Sequence, residues 1–141
     1  MRRKGAAGCQ FFLTQPVYSE EEIDRLAFLQ RETGAKILIG IMPLVSYRNA
    51  LFIKNEMPGI HVPDEVLARY SPEGSREEWE QTALTISGQV ISMGKDVGAG
   101  YYFMTPFHRV SLIQRIMENC LPGSGGAAGV RAAEESEMCG Q

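Results

Sequence analysis

Three short apolar runs organise the chain: Phe11-Phe12-Leu13-Thr14-Gln15-Pro16, Ile37-Leu38-Ile39-Gly40-Ile41-Met42-Pro43 and Tyr101-Tyr102-Phe103-Met104-Thr105-Pro106. Each stops at a proline, and a helix-period pattern follows each. The first run, about residues 10–14, has apolar residues in succession rather than alternation, which predicts a strand buried on both faces. Residues 36–42 predict a second buried strand. The third strand ends near Thr105, and Gly98 and Gly100 flank the turn into it.

The helices announce themselves by caps and stripes. Ser19 with Glu22 predicts a capping box. Ile23, Leu26 and Ala27 then fall on one face, widened by Leu29, and Gly34 supplies the stop. A second helix is predicted from Ser46 to about Glu56, ended by Met57-Pro58-Gly59. Pro63 is placed at the first helical position of a short turn toward Tyr70. Ser75 caps the longest helix, whose stripe is Trp79, Ala83, Ile86, Val90 and Met93. Leu112, Ile113, Ile116, Met117 and Cys120 form the inner face of the last helix, broken by Leu121-Pro122-Gly123. From Gly123 onward Gly, Ala and Glu dominate. Residues 1–122 are read as the folded region and 123–141 as a disordered tail.

Strand, loop, helix, three times over, is a parallel α/β pattern. In such folds the loops after the strands carry the chemistry. Gln15, Tyr47 and Arg109 fall at or just past a strand end. Three parallel strands leave both sheet edges open, whereas a closed (β/α)8 barrel needs eight strands and roughly 250 residues. Arg2, Arg3 and Lys4 sit as if at the end of a helix without a beginning. The pattern therefore reads as the last three βα units of something larger.

Composition adds exclusions. The 141 residues are 44% hydrophobic and 22% charged, with net charge −3. A mildly acidic balance argues against nucleic acid as a partner. No apolar stretch is long enough to span a membrane. Met1-Arg2-Arg3-Lys4 is basic, but no apolar segment with a cleavage site follows it, so no export is expected. Cys9, Cys120 and Cys139 are odd in number and far apart. They signal neither a disulfide framework nor a metal site, and a cytoplasmic protein with reduced thiols is expected.

Three motifs in order then point to a family. Lys4-x-x-Ala7-Gly8-x-x-Phe11-Phe12-Leu13-Thr14-Gln15-Pro16, Gly40-Ile41-Met42-Pro43 with Ser46-Tyr47, and a strand ending near Thr105 with Arg109 behind it resemble methylenetetrahydrofolate reductase. The Thr-Gln-Pro-Val-Tyr form is similar to the reductase half of bacterial two-domain proteins that also carry a homocysteine S-methyltransferase. The resemblance spans about residues 4–121. It implies a flavin-dependent barrel that reduces 5,10-methylenetetrahydrofolate to 5-methyltetrahydrofolate, with NAD(P)H as hydride donor and FAD as carrier. By this resemblance the α/β chain would be the last three βα units of a (β/α)8 TIM barrel, an incomplete one. The family's general-acid glutamate and most FAD contacts belong to earlier strands and have no counterpart here. The chain is therefore expected to be inactive alone and to hold no FAD stably, and no catalytic residue is assigned to it.

By resemblance, Gln15 binds folate, and nicotinamide in the other half-reaction; its amide offers both donors and an acceptor to a pterin edge. Read as a residue alone, it serves equally to tie the next loop. Tyr47 corresponds to an aromatic that packs on the p-aminobenzoate part of folate, or else is a core ring at a helix start. Arg109 corresponds to a substrate-contacting arginine, though Thr105-Pro106-Phe107-His108-Arg109 is one residue longer than the family's usual stretch. A solvated arginine in a first helical turn is the plain alternative. Lys4 resembles a lysine at the FAD diphosphate, or is a solvated basic end. His61 and His108 are read as structural or exposed, and Glu20-Glu21-Glu22 as a helix N-terminus.

Two other readings compete. One is a small α/β ligand-binding or interaction module without catalysis, its sheet edges covered by a partner or by self-association; in the fragment reading the missing barrel part would be the partner. The other is a truncated gene product without activity.

Overall fold

The computed structural model describes Gly8 and residues 10–121. Lys4, Cys9, Cys139 and the 123–141 tail lie outside them. The order of elements is β1 (Phe11–Pro16), α1 (Glu20–Thr33), β2 (Lys36–Ile41), α2 (Tyr47–Glu56), α3 (Asp64–Ala68), α4 (Arg76–Gly94), β3 (Gly100–Phe103), an irregular turn over Pro106–His108, and α5 (Val110–Cys120). The strands form one parallel sheet in the order β1-β2-β3. This is the mixed α/β arrangement of a partial barrel.

The caps explain where the helices start. Ser19 Oγ accepts from the Glu22 amide at 3.3 Å. The return bond differs from the expected box: Glu22 Oε2 accepts from the Tyr18 amide at 3.2 Å, one residue earlier. Ser75 and Glu78 form the full reciprocal box at the start of α4. Ser46 is the N-cap of α2, and Gly34 ends α1 with φ 63, a left-handed conformation that favours glycine. Pro63 is the N-cap of α3 rather than its first helical residue, with an extended ψ of 151.

The apolar stripes meet on one side of the sheet. Ile37, Ile39 and Ile41 of β2 are almost fully buried. They pack with Ile23 and Leu26 of α1, Val90 and Ile91 of α4, and Leu112 and Ile116 of α5. A second cluster joins Tyr18, Leu44, Ala50, Ile53, Val66, Tyr70 and Ile86 around α2, α3 and the loops after β1 and β2.

The other side of the sheet corrects the expectation for β1. That strand is not buried on both faces. Phe12 and Thr14 are buried, while Phe11 is 59% and Leu13 57% exposed. Successive apolar residues show that both faces are suited to burial. They do not show that both are covered, and within the described residues the helices cover only one.

Candidate functional site

The strand ends Pro16, Ile41 and Phe103 lie on one edge of the sheet, and the loops beyond them hold the predicted residues. At β1 the ladder changes register. Leu13 pairs with Leu38 and Pro16 with Gly40, so β1 carries one extra residue. Thr14 fills the gap with its side chain: Oγ1 accepts from the Gly40 amide at 2.9 Å and donates to the Gln15 carbonyl at 2.8 Å. The Thr14 carbonyl accepts from the Tyr102 hydroxyl of β3. Tyr102 reaches across β2 because residue 40 has no side chain. A Cβ there would stand 2.9 Å from Tyr102 Oη and 3.0 Å from the Thr14 oxygen. Burial pushes the Tyr102 pKa up, so the group remains a donor. Gln15 continues the exposed positions of Phe11 and Leu13.

Tyr47 opens α2 and lines a cleft of about 510 Å³ with Ser46, Arg48, Leu51, Pro72 and Trp79. Trp79 is held by its own Nε1, which donates to the Ser71 carbonyl at 2.8 Å. Behind the cleft Tyr18 Oη donates to the Met42 carbonyl at 2.7 Å and ties the loops after β1 and β2. Burial, then the neighbouring Tyr70 and Glu22, push the Tyr18 pKa well above its ordinary value.

Arg109 is the N-cap of α5 and is turned onto α4. Its Nη1 donates to Glu80 Oε1 at 2.7 Å, with the two side chains 22% and 16% exposed. Arg76 Nε and Arg115 Nη1 approach the same carboxylate at 3.2 and 3.5 Å. Burial raises the Glu80 pKa, but the hydrogen bonds from Arg76 and Arg109 outweigh it and hold the carboxyl below its ordinary value. The loop before Arg109 turns through two successive left-handed residues, Phe107 (φ 54) and His108 (φ 55). Such a pair costs roughly 1–2 kcal/mol per residue.

The structure thus puts Gln15, Tyr47 and Arg109 at the same end of the sheet, each in its own setting. Gln15 sits beside the Thr14–Tyr102 bond. Tyr47 faces the cleft. Arg109 is tied to Glu80, the residue next to Trp79, so the first turns of α4 serve both. His61 and His108 are exposed. Among the described residues no group of three His, Cys, Asp or Glu could hold a metal, and no helix is long and apolar enough to cross a membrane. Sequence reasoning missed Thr14, Tyr102 and Glu80. One signal existed for the first two: an isolated glycine inside a strand, here Gly40, marks close approach of another group.

The comparisons with known proteins agree with this architecture. No curated protein matches the chain. Among solved structures, it is similar to an uncharacterized protein from Clostridium thermocellum that binds two copies of 5-methyl-5,6,7,8-tetrahydrofolic acid. The TM-score is 0.52 at 17% identity, over 82% of this chain and 43% of that one, so the likeness is one of fold and the chain spans less than half of that neighbour. The family model for methylenetetrahydrofolate reductase matches residues 1–120, and the chain belongs to that family.

Proposed function

We propose that this chain provides the folate-binding side of a methylenetetrahydrofolate reductase. The reaction is the reduction of 5,10-methylenetetrahydrofolate to 5-methyltetrahydrofolate, with NAD(P)H as donor and FAD as carrier, in the one-carbon supply to methionine in the cytoplasm. One observation carries the reading: in a chain of this family, Gln15 presents an exposed amide at the C-terminal end of β1. The similar fold of a protein that binds 5-methyltetrahydrofolate supports the choice of ligand.

Each residue has a defined task in this reading. The Gln15 amide gives and accepts hydrogen bonds at the pterin edge, and at the nicotinamide amide in the other half-reaction. Tyr47 offers a flat ring to the p-aminobenzoate part. Arg109 spends Nη1 on Glu80. Its other N–H donors are left for a folate carboxylate or oxygen, and the ion pair restrains the side chain in advance.

The described residues do not fit a flavin by themselves. No glycine-rich turn cradles a phosphate before α1, α2 or α5. Lys4, the proposed diphosphate contact, lies outside them. In this reading the remaining flavin contacts come from further βα units, which would also cover the open face of Phe11 and Leu13.

Calorimetric titration of the chain with 5-methyltetrahydrofolate tests the proposal. Measurable binding is expected, weakened about tenfold by Gln15→Ala, the worth of one good hydrogen bond. No binding by the folded parent, or equal binding by the variant, would overturn it. Purification with added FAD is expected to give no stoichiometric yellow complex. Such a complex would contradict the assignment of the flavin contacts to other parts of a barrel.

A further inference from the structure

Gln15 is held from two strands away. The extra residue in β1 between the Leu13–Leu38 and Pro16–Gly40 pairs is a bulge, and bulges re-aim side chains. Here the bulge is fixed at two successive carbonyls. The Thr14 carbonyl accepts the Tyr102 hydroxyl, and the Gln15 carbonyl accepts the Thr14 hydroxyl at 2.8 Å. Peptide groups are planar, so fixing the carbonyls on both sides of the Gln15 Cα sets the direction of its Cα–Cβ bond. Gly40 completes the arrangement. Its amide donates to Thr14 Oγ1 at 2.9 Å, its carbonyl accepts from the Val17 amide at 3.2 Å, and its bare Cα gives the Tyr102 ring its path.

We propose that Tyr102 is a positioning residue for ligand binding, and that its hydroxyl, through the Thr14 carbonyl, aims the Gln15 amide at the planar amide-bearing ring of the ligand. This rests on the folate reading given above. Tyr102 itself need not touch the ligand. Its contribution is to remove the freedom that the bulge would otherwise give the Gln15 backbone, so that the amide is ordered before binding.

Tyr102→Phe keeps the ring and removes the donor. Paired with Gln15→Ala it forms a double-mutant cycle read by 5-methyltetrahydrofolate titration. Tyr102→Phe is expected to weaken binding severalfold in the parent and not at all in the Gln15→Ala background. A general structural role would weaken both backgrounds alike, and that additive result, or an unchanged affinity in Tyr102→Phe, would overturn the inference while leaving the folate reading intact. If Gln15→Ala is without effect, the folate reading fails instead. Amide exchange then decides the positioning role alone. Tyr102→Phe should speed exchange at Gly40 and Val17 about tenfold, with the core amides of α4 unchanged; equal rates at Gly40 and Val17 would refute it.

Discussion

Arg109 Nη1 meets Glu80 Oε1 at 2.7 Å, joining the N-cap of α5 to the second turn of α4. The pair is more sheltered than the flanking contacts, since Arg76 and Arg115 are 68% and 45% exposed. Exposed ion pairs contribute little, whereas a sheltered, hydrogen-bonded one is costly to break from one side.

The pH dependence of this cluster has a definite sign. The Glu80 carboxyl titrates below its ordinary value of 4.5 in the folded chain. Its contribution is therefore complete above about pH 4.5 and is lost as pH falls through the lower folded value. Glu80→Gln is expected to cost about 1–2 kcal/mol at pH 7. The gap to the parent should narrow on acidification below pH 4.5. Urea melts at neutral and acid pH measure it, and a gap that stays constant with pH would rule out the ion pair as its source.

Gly40 has the tightest surroundings of the sheet glycines on the open face. A methyl group there would press on Tyr102 Oη at 2.9 Å, the Thr14 carbonyl oxygen at 3.0 Å and Tyr102 Cζ at 3.1 Å. The ring could swing away, but the backbone oxygen has little room to yield. Gly40→Ala is expected to lose about 1–3 kcal/mol, typical of overpacking. Thermal denaturation reads the loss, and a melt identical to the parent would show that β1 and β3 part freely at this point.

The same residues show what sequence could and could not supply. Ser19, Ser46, Ser75 and Gly34 were legible because capping is local: donor and acceptor lie three or four residues apart. The helix-facing core followed from the stripes for the same reason. The Tyr102–Thr14 bond spans 88 residues and the Arg109–Glu80 pair 29. Nothing in the local pattern selects those partners, because tertiary packing brings them together. The exposure of Phe11 and Leu13 was illegible for a different reason: periodicity reports which faces are suited to burial, not what is there to bury them. Gln15, Tyr47 and Arg109 could be placed at strand ends from the run-then-proline pattern. The partner of Arg109 could not.

Tyr70 carries a buried hydroxyl, at 2% exposure, with no hydrogen-bond partner among the described residues. Its burial pushes the pKa well above the ordinary value. An unsatisfied buried hydroxyl is a standing cost that phenylalanine avoids at nearly the same volume. Tyr70→Phe is expected to leave stability unchanged or raise it by up to about 1 kcal/mol. Chemical denaturation compares the two, and a loss beyond about 1 kcal/mol would mean that the hydroxyl is bonded in solution.

Leu13 gives access to the open face. It is 57% exposed beside Phe11 on an edge strand of a parallel sheet, and parallel sheets are stable when both faces are covered. If the chain meets its own copies through this face, the parent should elute as an associated species whose size grows with concentration. Leu13→Glu should return it to a monomer, because association would bury an unpaired carboxylate. The folded monomer itself should change by no more than about 0.5 kcal/mol, the usual range for a surface substitution. Light scattering coupled to size exclusion, with a melt of each variant, makes the measurement. A parent that is already a cooperatively melting monomer at every concentration would refute self-association and favour a self-sufficient small domain. An associated parent unaffected by Leu13→Glu would place the contact elsewhere on the surface.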